Sequence, residues 1–298
     1  TFEDGRSTEC CDEHLWKVHY IQWKDKWRIL SFKDIRIHLT VNPTYKNRLY
    51  VPLIKPRDIE NLDLPMDPYL LGVLLGDGHF GKSKIYLSTP DQFIIDEITP
   101  LLPDGITIRK VDDLNYRLIR IGGNQAKGSS SILDIIESFG LLHTLSDTKF
   151  IPEVYMNGSI SQKLSLLQGL FDTDGTVNGS GSTQFCTTSR KMAEQVQYLI
   201  RSLGGLCKIS EKISHFTYKG EYKEGKLAYI LHIRYENCEN LFRLPRKKNR
   251  LPTTYQYKDL LKLRIKHVEY IGKKEAQCIK IDHPDHLYIT NDYIVTHN

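Results

Sequence analysis

Apolar residues are spaced differently in different parts of this chain. Near the start they form short mixed runs, His14-Leu15-Trp16-Lys17-Val18-His19-Tyr20 and Trp27-Arg28-Ile29-Leu30, whose length and aromatic content predict β-strands. Pro52, Pro56, Pro65 and Pro68 then interrupt the pattern and predict a connector. Asp67-Pro68 predicts the start of a helix, with an acidic cap and a proline in the first turn.

From that helix onward the pattern repeats. YLLGVLLGDGHF (69–80) is echoed by LLQGLFDTDGTV (166–177), each an apolar helical run ending in Asp-Gly. A strand-like piece follows each run, KIYLST (84–89) and TQFCTT (183–188), and then a helical pattern, DQFIIDEITPLL and SRKMAEQVQYLIRSLG. Further β candidates close the two halves, NYRLIRI (115–121) and AYILHIR (228–234). Lys149 follows Asp77 by 72 residues, and Lys247 follows Asp174 by 73. The middle of the chain therefore reads as two copies of one α/β unit. Beyond LPRKKNRLP (244–252) come a polar helix-like stretch and two strand candidates, CIKI (278–281) and HLYIT (286–290), separated by the turn residues Asp282-His283-Pro284-Asp285. A β unit split by a duplicated α/β insertion is the simplest architecture.

Composition narrows this picture only modestly. The 298 residues, 40% hydrophobic and 26% charged, suit a soluble globular protein with ample core. No apolar run is long enough to span a bilayer, and the opening residues do not resemble a signal peptide, so no membrane partner is expected. Six cysteines without a C-x-x-C pair argue against a zinc ribbon or disulfide scaffold and suit a reducing cytoplasm. A net charge of +5 permits nucleic-acid binding without demanding it.

The chemistry begins at the paired helices. Gly72 and Gly76 are four apart, as are Gly169 and Thr173, so each helix has one face of small residues on which a partner helix can approach closely. If the copies pack on those faces, Asp77 and Asp174 emerge side by side at helix C-termini, where the macrodipole disfavours carboxylates and a compensating cation is expected. Two carboxylates with water and phosphate oxygens suit Mg²⁺, which could stabilise attacking and leaving oxygens in phosphodiester hydrolysis. A single Asp-Gly would be an ordinary helix stop. The matched pair, with matched lysines downstream, is not.

LLGVLLGDG and LQGLFDTDG resemble the two motifs of the LAGLIDADG homing endonucleases, over about Leu64 to Leu251. The resemblance implies a double-stranded DNA target, Mg²⁺ (or Mn²⁺) as cofactor, and a monomer. It also implies Asp77 and Asp174 as the metal-binding, catalytic acids, with Lys149 and Lys247 as basic residues near the cleavage site. The first motif carries Leu75 where the second carries Asp172. Antiparallel strands would lie along the DNA major groove. The candidate contacts are Lys84, Arg117, Arg120, Lys208, Lys212, His232 and Arg234, joined by Arg246 and Lys248 from the basic run 246–250 as phosphate contacts. Taken singly, each strand candidate reads first as an ordinary solvated side chain, and the run 246–250 is the more persuasive patch.

The tail QCIKIDHPDHLYITNDYIVTHN points to different chemistry. An asparagine can attack its own carbonyl through its side-chain amide, given positioning and proton donors. His297 and His286 could supply those protons to Asn298. The order of strand, His286, apolar strand and His297-Asn298 resembles the C-terminal motifs of inteins. EDGRSTECCDEHLW likewise resembles the intein block whose histidine, here His14, activates an upstream amide, with Cys11 in a place usually held by threonine. Cys278 stands where many inteins have an aspartate, either as a participating thiol or as a small buried residue.

These resemblances together imply an α+β protein. A β-rich Hint splicing domain (residues 1–62 and 253–298) is interrupted by a pseudo-twofold, duplicated αββαββα LAGLIDADG endonuclease (63–252, with repeats about 64–157 and 158–252). The chain opens inside the second intein block, without the usual Cys or Ser nucleophile. The expectation is therefore that splicing requires an N-terminal portion, either missing here or supplied as a separate intein fragment. The implied partners are DNA and the flanking host-protein exteins, and the implied setting is the cytoplasm of a bacterial or phage-infected cell. The alternatives are a decayed LAGLIDADG DNA-binding module, an RNA maturase, or a split-intein C-terminal fragment acting only in splicing.

Overall fold

The computed structural model describes residues 1–24, 26–41, 48–122, 132–218, 220–252, 261–277 and 279–298. The two ends of the chain build one β unit. Strands β1 (Leu15–Tyr20), β2 (Trp27–Ser31) and β3 (Leu49–Val51) are joined by β12 (Leu263–Arg264) in the order β12-β3-β1-β2, antiparallel throughout. Leu263 lies opposite Val51, so the chain returns to the sheet on the strand beside the one it left. Trp16, Val18, Tyr20, Leu49, Val51, Leu263 and Ile265 form the core of this unit, with Ile294 arriving from the C-terminal end. A helix that the strand-like pattern did not suggest, α1 (Phe32–Val41), follows β2 and buries Ile35.

Of the C-terminal strand candidates, the CIKI run departs from expectation. Strand β13 (Leu287–Thr290) pairs with β14 (Ile294–His297), not with the CIKI run. Residues 279–281 form no strand, and Cys278 lies outside the described residues. Ile279 is exposed, whereas Ile294 and Val295 of β14 are buried, so the hairpin partner is the segment with an apolar face to bury.

Between β3 and β12 runs the inserted unit. An extended connector leads to α2 (Pro68–Asp77), capped by the Asp67 carboxylate, which accepts from the amides of Tyr69 and Leu70. Then come β4 (Gly78–Phe80), β5 (Ile85–Ser88), α3 (Gln92–Ile98), β6 (Ile106–Lys110), β7 (Asn115–Arg120) and α4 (Ile132–Ser138). After the short α5 (Glu153–Met156) the order recurs: α6 (Ile160–Asp174), β8 (Gly175–Val177), β9 (Thr183–Thr187), α7 (Arg190–Ser202), β10 (Leu206–Tyr218), β11 (Glu221–Arg234) and α8 (Pro245–Lys248). The sheets share one topology, β4-β5-β7-β6 and β8-β9-β11-β10. Their closing hairpins differ in length, because β10 and β11 run 13 and 14 residues against 5 and 6 for β6 and β7.

The apolar faces of both sheets and of α2, α3, α6 and α7 merge into one core. At its centre α2 and α6 pack backbone to backbone. A Cβ added to Gly72 would lie 2.9 Å from the Gly169 Cα, and one added to Gly169 would lie 2.7 Å from the Val73 amide nitrogen. Only glycine permits so close an approach. Among the described residues, no helix is long and apolar enough to cross a membrane.

Candidate functional site

The close packing of α2 and α6 brings their last residues, Asp77 and Asp174, together at one end of the pair. Each helix end is occupied by its own buried lysine. The Lys149 ammonium donates to the carbonyls of Gly78 (2.6 Å), Leu75 (2.8 Å), and Leu74 and Gly76 (each 3.3 Å) around the end of α2. The Lys247 ammonium donates to Thr173 (2.7 Å) and Phe171 (3.0 Å) at the end of α6. Both side chains are about 95% buried. The cation expected at these helix ends is thus partly supplied by the protein, because a carbonyl-lined C-terminus favours positive charge.

Charge is crowded here. Burial depresses both ammoniums to about 8, against the pull of Asp77 and Asp174 in the opposite direction. Asp174 keeps solvent access, yet crowding by protein atoms and then the Asp77 carboxylate push its pKa up to about 7, with Lys149 and Lys247 opposing. Asp77 is also raised, chiefly by burial. A recess of about 270 Å³ opens beside the pair, with Asp174, Lys149, Cys186 and Thr188 on its wall. Among the described residues no three His, Cys, Asp or Glu side chains converge as a metal cage. A divalent ion here would take two carboxylates from the protein and the rest of its shell from solvent or substrate oxygens, and it would relieve the push of the Asp77 carboxylate on Asp174.

Asp172 has a different task from its neighbour. It is 1% exposed and accepts from the Tyr69 hydroxyl (2.8 Å) and from the amides of Leu244 (3.0 Å) and Arg243 (3.1 Å). It therefore fastens α6 to α2 and to the segment that leads into α8. Leu75, at the matching place in α2, lies in the apolar core. The mismatch between the two motifs is thus one polar tie, off the recess wall, against one apolar side chain that also lines the recess.

Each sheet presents an outward face, and the register puts matching rows on it. In the first sheet His79, Tyr86, Arg117 and Arg109 lie abreast. In the second the row is Thr176, Gln184, His232 and Lys208. His232 is held within its row by Gln184 (3.1 Å) and by Ser210 (2.9 Å). Lys212 falls on the same exposed face as Lys208, and Lys84 is exposed beside β5. Arg120 alternates to the opposite face from Arg117, in step with Tyr116 and Leu118. Arg234 pairs with Glu3 of the terminal unit at 2.6 Å. The basic run 246–250 divides: Arg246 makes a two-pronged pair with Asp91 (2.6 and 2.9 Å), Lys247 turns inward, and Lys248 stays exposed. Three members of the first row, His79, Tyr86 and Arg109, were missed in the sequence. Strand alternation counted from Arg117 and its pairing partners would have found them.

A second cluster forms where the chain ends meet. The His14 Nε2 is hydrogen-bonded to the Thr296 hydroxyl, 282 residues away. The rings of His286 and His297 are 5.8 Å apart, and the Asn298 amide donates to the His286 carbonyl at 2.8 Å. Burial lowers the pKa of His14, with His297 adding to the effect. Burial likewise lowers that of His297, followed by His286 and Lys17. The side-chain amide nitrogen of Asn298 is buried without a hydrogen-bond partner among the described residues.

Comparison with known proteins bears on the second half of the insertion most directly, where residues 161–248 match the family described as LAGLIDADG-like domain. The chain is 27% identical over 264 residues to the replicative DNA helicase DnaB of Mycobacterium intracellulare, covering 86% of this chain and 39% of the helicase. It is 30% identical over 218 residues to the replication factor C small subunit of Thermococcus kodakarensis, covering 68% of this chain and 23% of that protein. The chain thus spans well under half the length of these curated relatives. Among solved structures, I-DmoI in complex with its target DNA in the presence of manganese aligns with 56% of this chain and 86% of its own, at 16% identity and a TM-score of 0.32. Over residues 161–248, this chain is thus similar to the LAGLIDADG-like domain family.

Proposed function

We propose that residues 63–252 form a site-specific DNA endonuclease built as a pseudo-twofold pair of αββαββα repeats, and that the terminal β unit is a self-cleaving Hint splicing domain. The observation that carries the nuclease reading is the convergence of Asp77 and Asp174 at abutting helix ends, each end capped by its own buried lysine. The carboxylates would hold Mg²⁺ or Mn²⁺, which when bound stabilises charge on the oxygens of a phosphodiester undergoing hydrolysis. Lys149 and Lys247 hold the helix ends in place and keep positive charge beneath the carboxylates. The rows His79-Tyr86-Arg117-Arg109 and Thr176-Gln184-His232-Lys208 are of a size to follow a major groove and read base edges. Lys84, Lys212 and Lys248 supply phosphate contacts. Arg120, Arg234 and Arg246 are secondary candidates, given their placement and pairing.

Incubation with Mg²⁺ and a plasmid bearing the host gene without this coding segment should give one double-strand cut. The cut should be absent for Asp77→Asn and Asp174→Asn. Identical cleavage by the parent and both variants would dismiss the nuclease reading.

The second reading, protein splicing, is favoured by the meeting of His14, Thr296, His286, His297 and Asn298 from opposite ends of the sequence. In a longer chain with a residue after Asn298, the Asn298 side-chain nitrogen would attack its own carbonyl carbon. A succinimide forms, the bond to the following residue breaks, and the proton lost by the attacking nitrogen is balanced by one gained by the departing amine. His297, adjacent to Asn298 in the chain, and His286, whose carbonyl accepts from the Asn298 backbone amide, are the proposed proton carriers, and the Asn298 side-chain nitrogen, without a hydrogen-bond partner among the described residues, is the proposed nucleophile. A replicative DNA helicase and a replication factor C small subunit are differently named proteins, yet each matches most of this chain over a minor part of its length. That pattern supports an element carried inside host proteins. Asn298→Ala should abolish release of a reporter fused after residue 298, and unchanged release would sink this reading.

A further inference from the structure

The hairpin carrying His297 and Asn298 turns at Asn291–Tyr293, and that turn is held by the inserted unit. Asp292 and Tyr293 both have left-handed backbone conformations, with φ of 59° and 58°. Side chains rarely adopt this conformation, and it persists only where surroundings impose it. Here the surroundings are specific. The Arg6 guanidinium, 1% exposed, donates to the carbonyls of Asp292 (3.2 Å) and Tyr293 (3.1 Å), to the Gly205 carbonyl (3.0 Å) and to the Asp4 carboxylate (2.9 Å). Arg201, on the last turn of α7, reaches the Asp292 carboxylate at 3.3 Å and the Asp4 carbonyl at 3.0 Å. The Tyr293 ring packs 5.0 Å from that of Tyr198, also on α7, and its hydroxyl meets Ser202.

We infer that helix α7 of the inserted unit sets the position of the C-terminal strand for the Asn298 reaction, with Arg201 and Tyr198 as positioning residues. This rests on the self-cleavage reading above. From Tyr293 the chain passes directly into β14, whose Ile294 is fully buried, so displacement at the turn is carried along an extended strand to Asn298. Intramolecular attack is sensitive to misplacement of the order of 1 Å. The other end of α7 borders the recess beside Asp174, where its cap Ser189 donates to the Lys149 carbonyl at 2.6 Å. One helix thus touches both candidate centres, and the insertion acquires a duty in processing.

The test uses the full chain with a reporter protein fused after Asn298, timing release at a temperature where every variant is folded by circular dichroism. Arg201→Met and Tyr198→Ala should each slow release about 10-fold or more, with partial recovery in Arg201→Lys. Arg201→Met and Asp292→Ala should be non-additive in rate. Arg264→Met serves as the control, since it breaks an ion pair within the terminal unit (Arg264 to Glu3, 3.1 Å) away from the turn and from α7, and should release at the parental rate. Parental release by Arg201→Met, or equal slowing by Arg264→Met, would overturn the inference while leaving the chemistry of Asn298 intact. Unchanged release by Asn298→Ala would instead remove the underlying reading.

Discussion

Gly72 and Gly169 touch backbone to backbone, and a Cβ on the first would stand 2.9 Å from the Cα of the second. The atoms in the way are main chain, so relief requires moving whole helices. Gly169→Ala should therefore destabilise the protein by about 2–3 kcal/mol or more, as overpacked cores do. Chemical denaturation reads the loss. DNA cleavage should fall further than stability alone explains, because separating the helices separates Asp77 from Asp174.

Asp172 is an acid whose work is structural. Removing it as Asp172→Ala strands the Tyr69 hydroxyl and the amides of Arg243 and Leu244. Each unsatisfied buried group costs about 1–3 kcal/mol. Asp172→Asn, which keeps an acceptor, should recover much of that stability. Both variants should leave divalent-metal affinity, read by calorimetry on folded protein, within about 3-fold of the parent.

Asp174 should make the fold weaker above neutrality. Its pKa is about 7 in the fold against 3.8 unfolded, so between those values the folded state holds more protons and stability falls as pH rises. The penalty is absent below about pH 4 and complete above about 7. Asp174→Asn should consequently be more stable than the parent at pH 8 and equal to it near pH 4, in melting temperatures taken without metal. Because the carboxylate keeps solvent access, the gain at pH 8 should be only about 1 kcal/mol.

Lys149 runs the other way. Its ammonium is depressed to about 8 from 10.5, so between those values the unfolded chain holds more protons and the parent gains stability as pH rises. Lys149→Met lacks that gain, and its deficit should widen between pH 8 and 10.5. At pH 7 it should already be less stable, since four carbonyls at the end of α2 lose their donor.

If the outward sheet faces contact DNA, Arg117→Ala should lower affinity and reduce the slope of log affinity against log salt by about 1 when the contact is to phosphate. A base contact would instead relax preference at one position. An Arg120→Ala variant should do less in either assay, because Arg120 alternates to the opposite face. Fluorescence anisotropy at several salt concentrations distinguishes these outcomes.

Much of the fold was legible because it is written twice. Asp67-Pro68 and the Asp-Gly ends stand at the helix boundaries their patterns implied, and the small residues at 72 and 169 stand at the helix contact theirs implied. CIKI was read as a strand, yet residues 279–281 form none, because strand propensity does not say which segment finds a partner. CIKI and YIVTH are equally β-like, and only burial of Ile294 and Val295 chooses between them. The inward turn of Lys247 was hidden for a related reason. Within a run of charges at 246–250, the one that faces the end of α6 is set by the short helix α8, which adjacent sequence does not reveal.

The chain leaves the terminal sheet on β3 and rejoins it on β12, with Val51 and Leu263 side by side. Neighbouring antiparallel strands need only a few residues to connect them. A genome could therefore gain or shed the entire intervening segment without redrawing the sheet. Whatever is shed with it includes α7, so descendants that lose the insertion would be under pressure to find another support for the turn at Asp292 and Tyr293. Substitutions accumulating around that turn in shortened relatives would be the trace of such a loss.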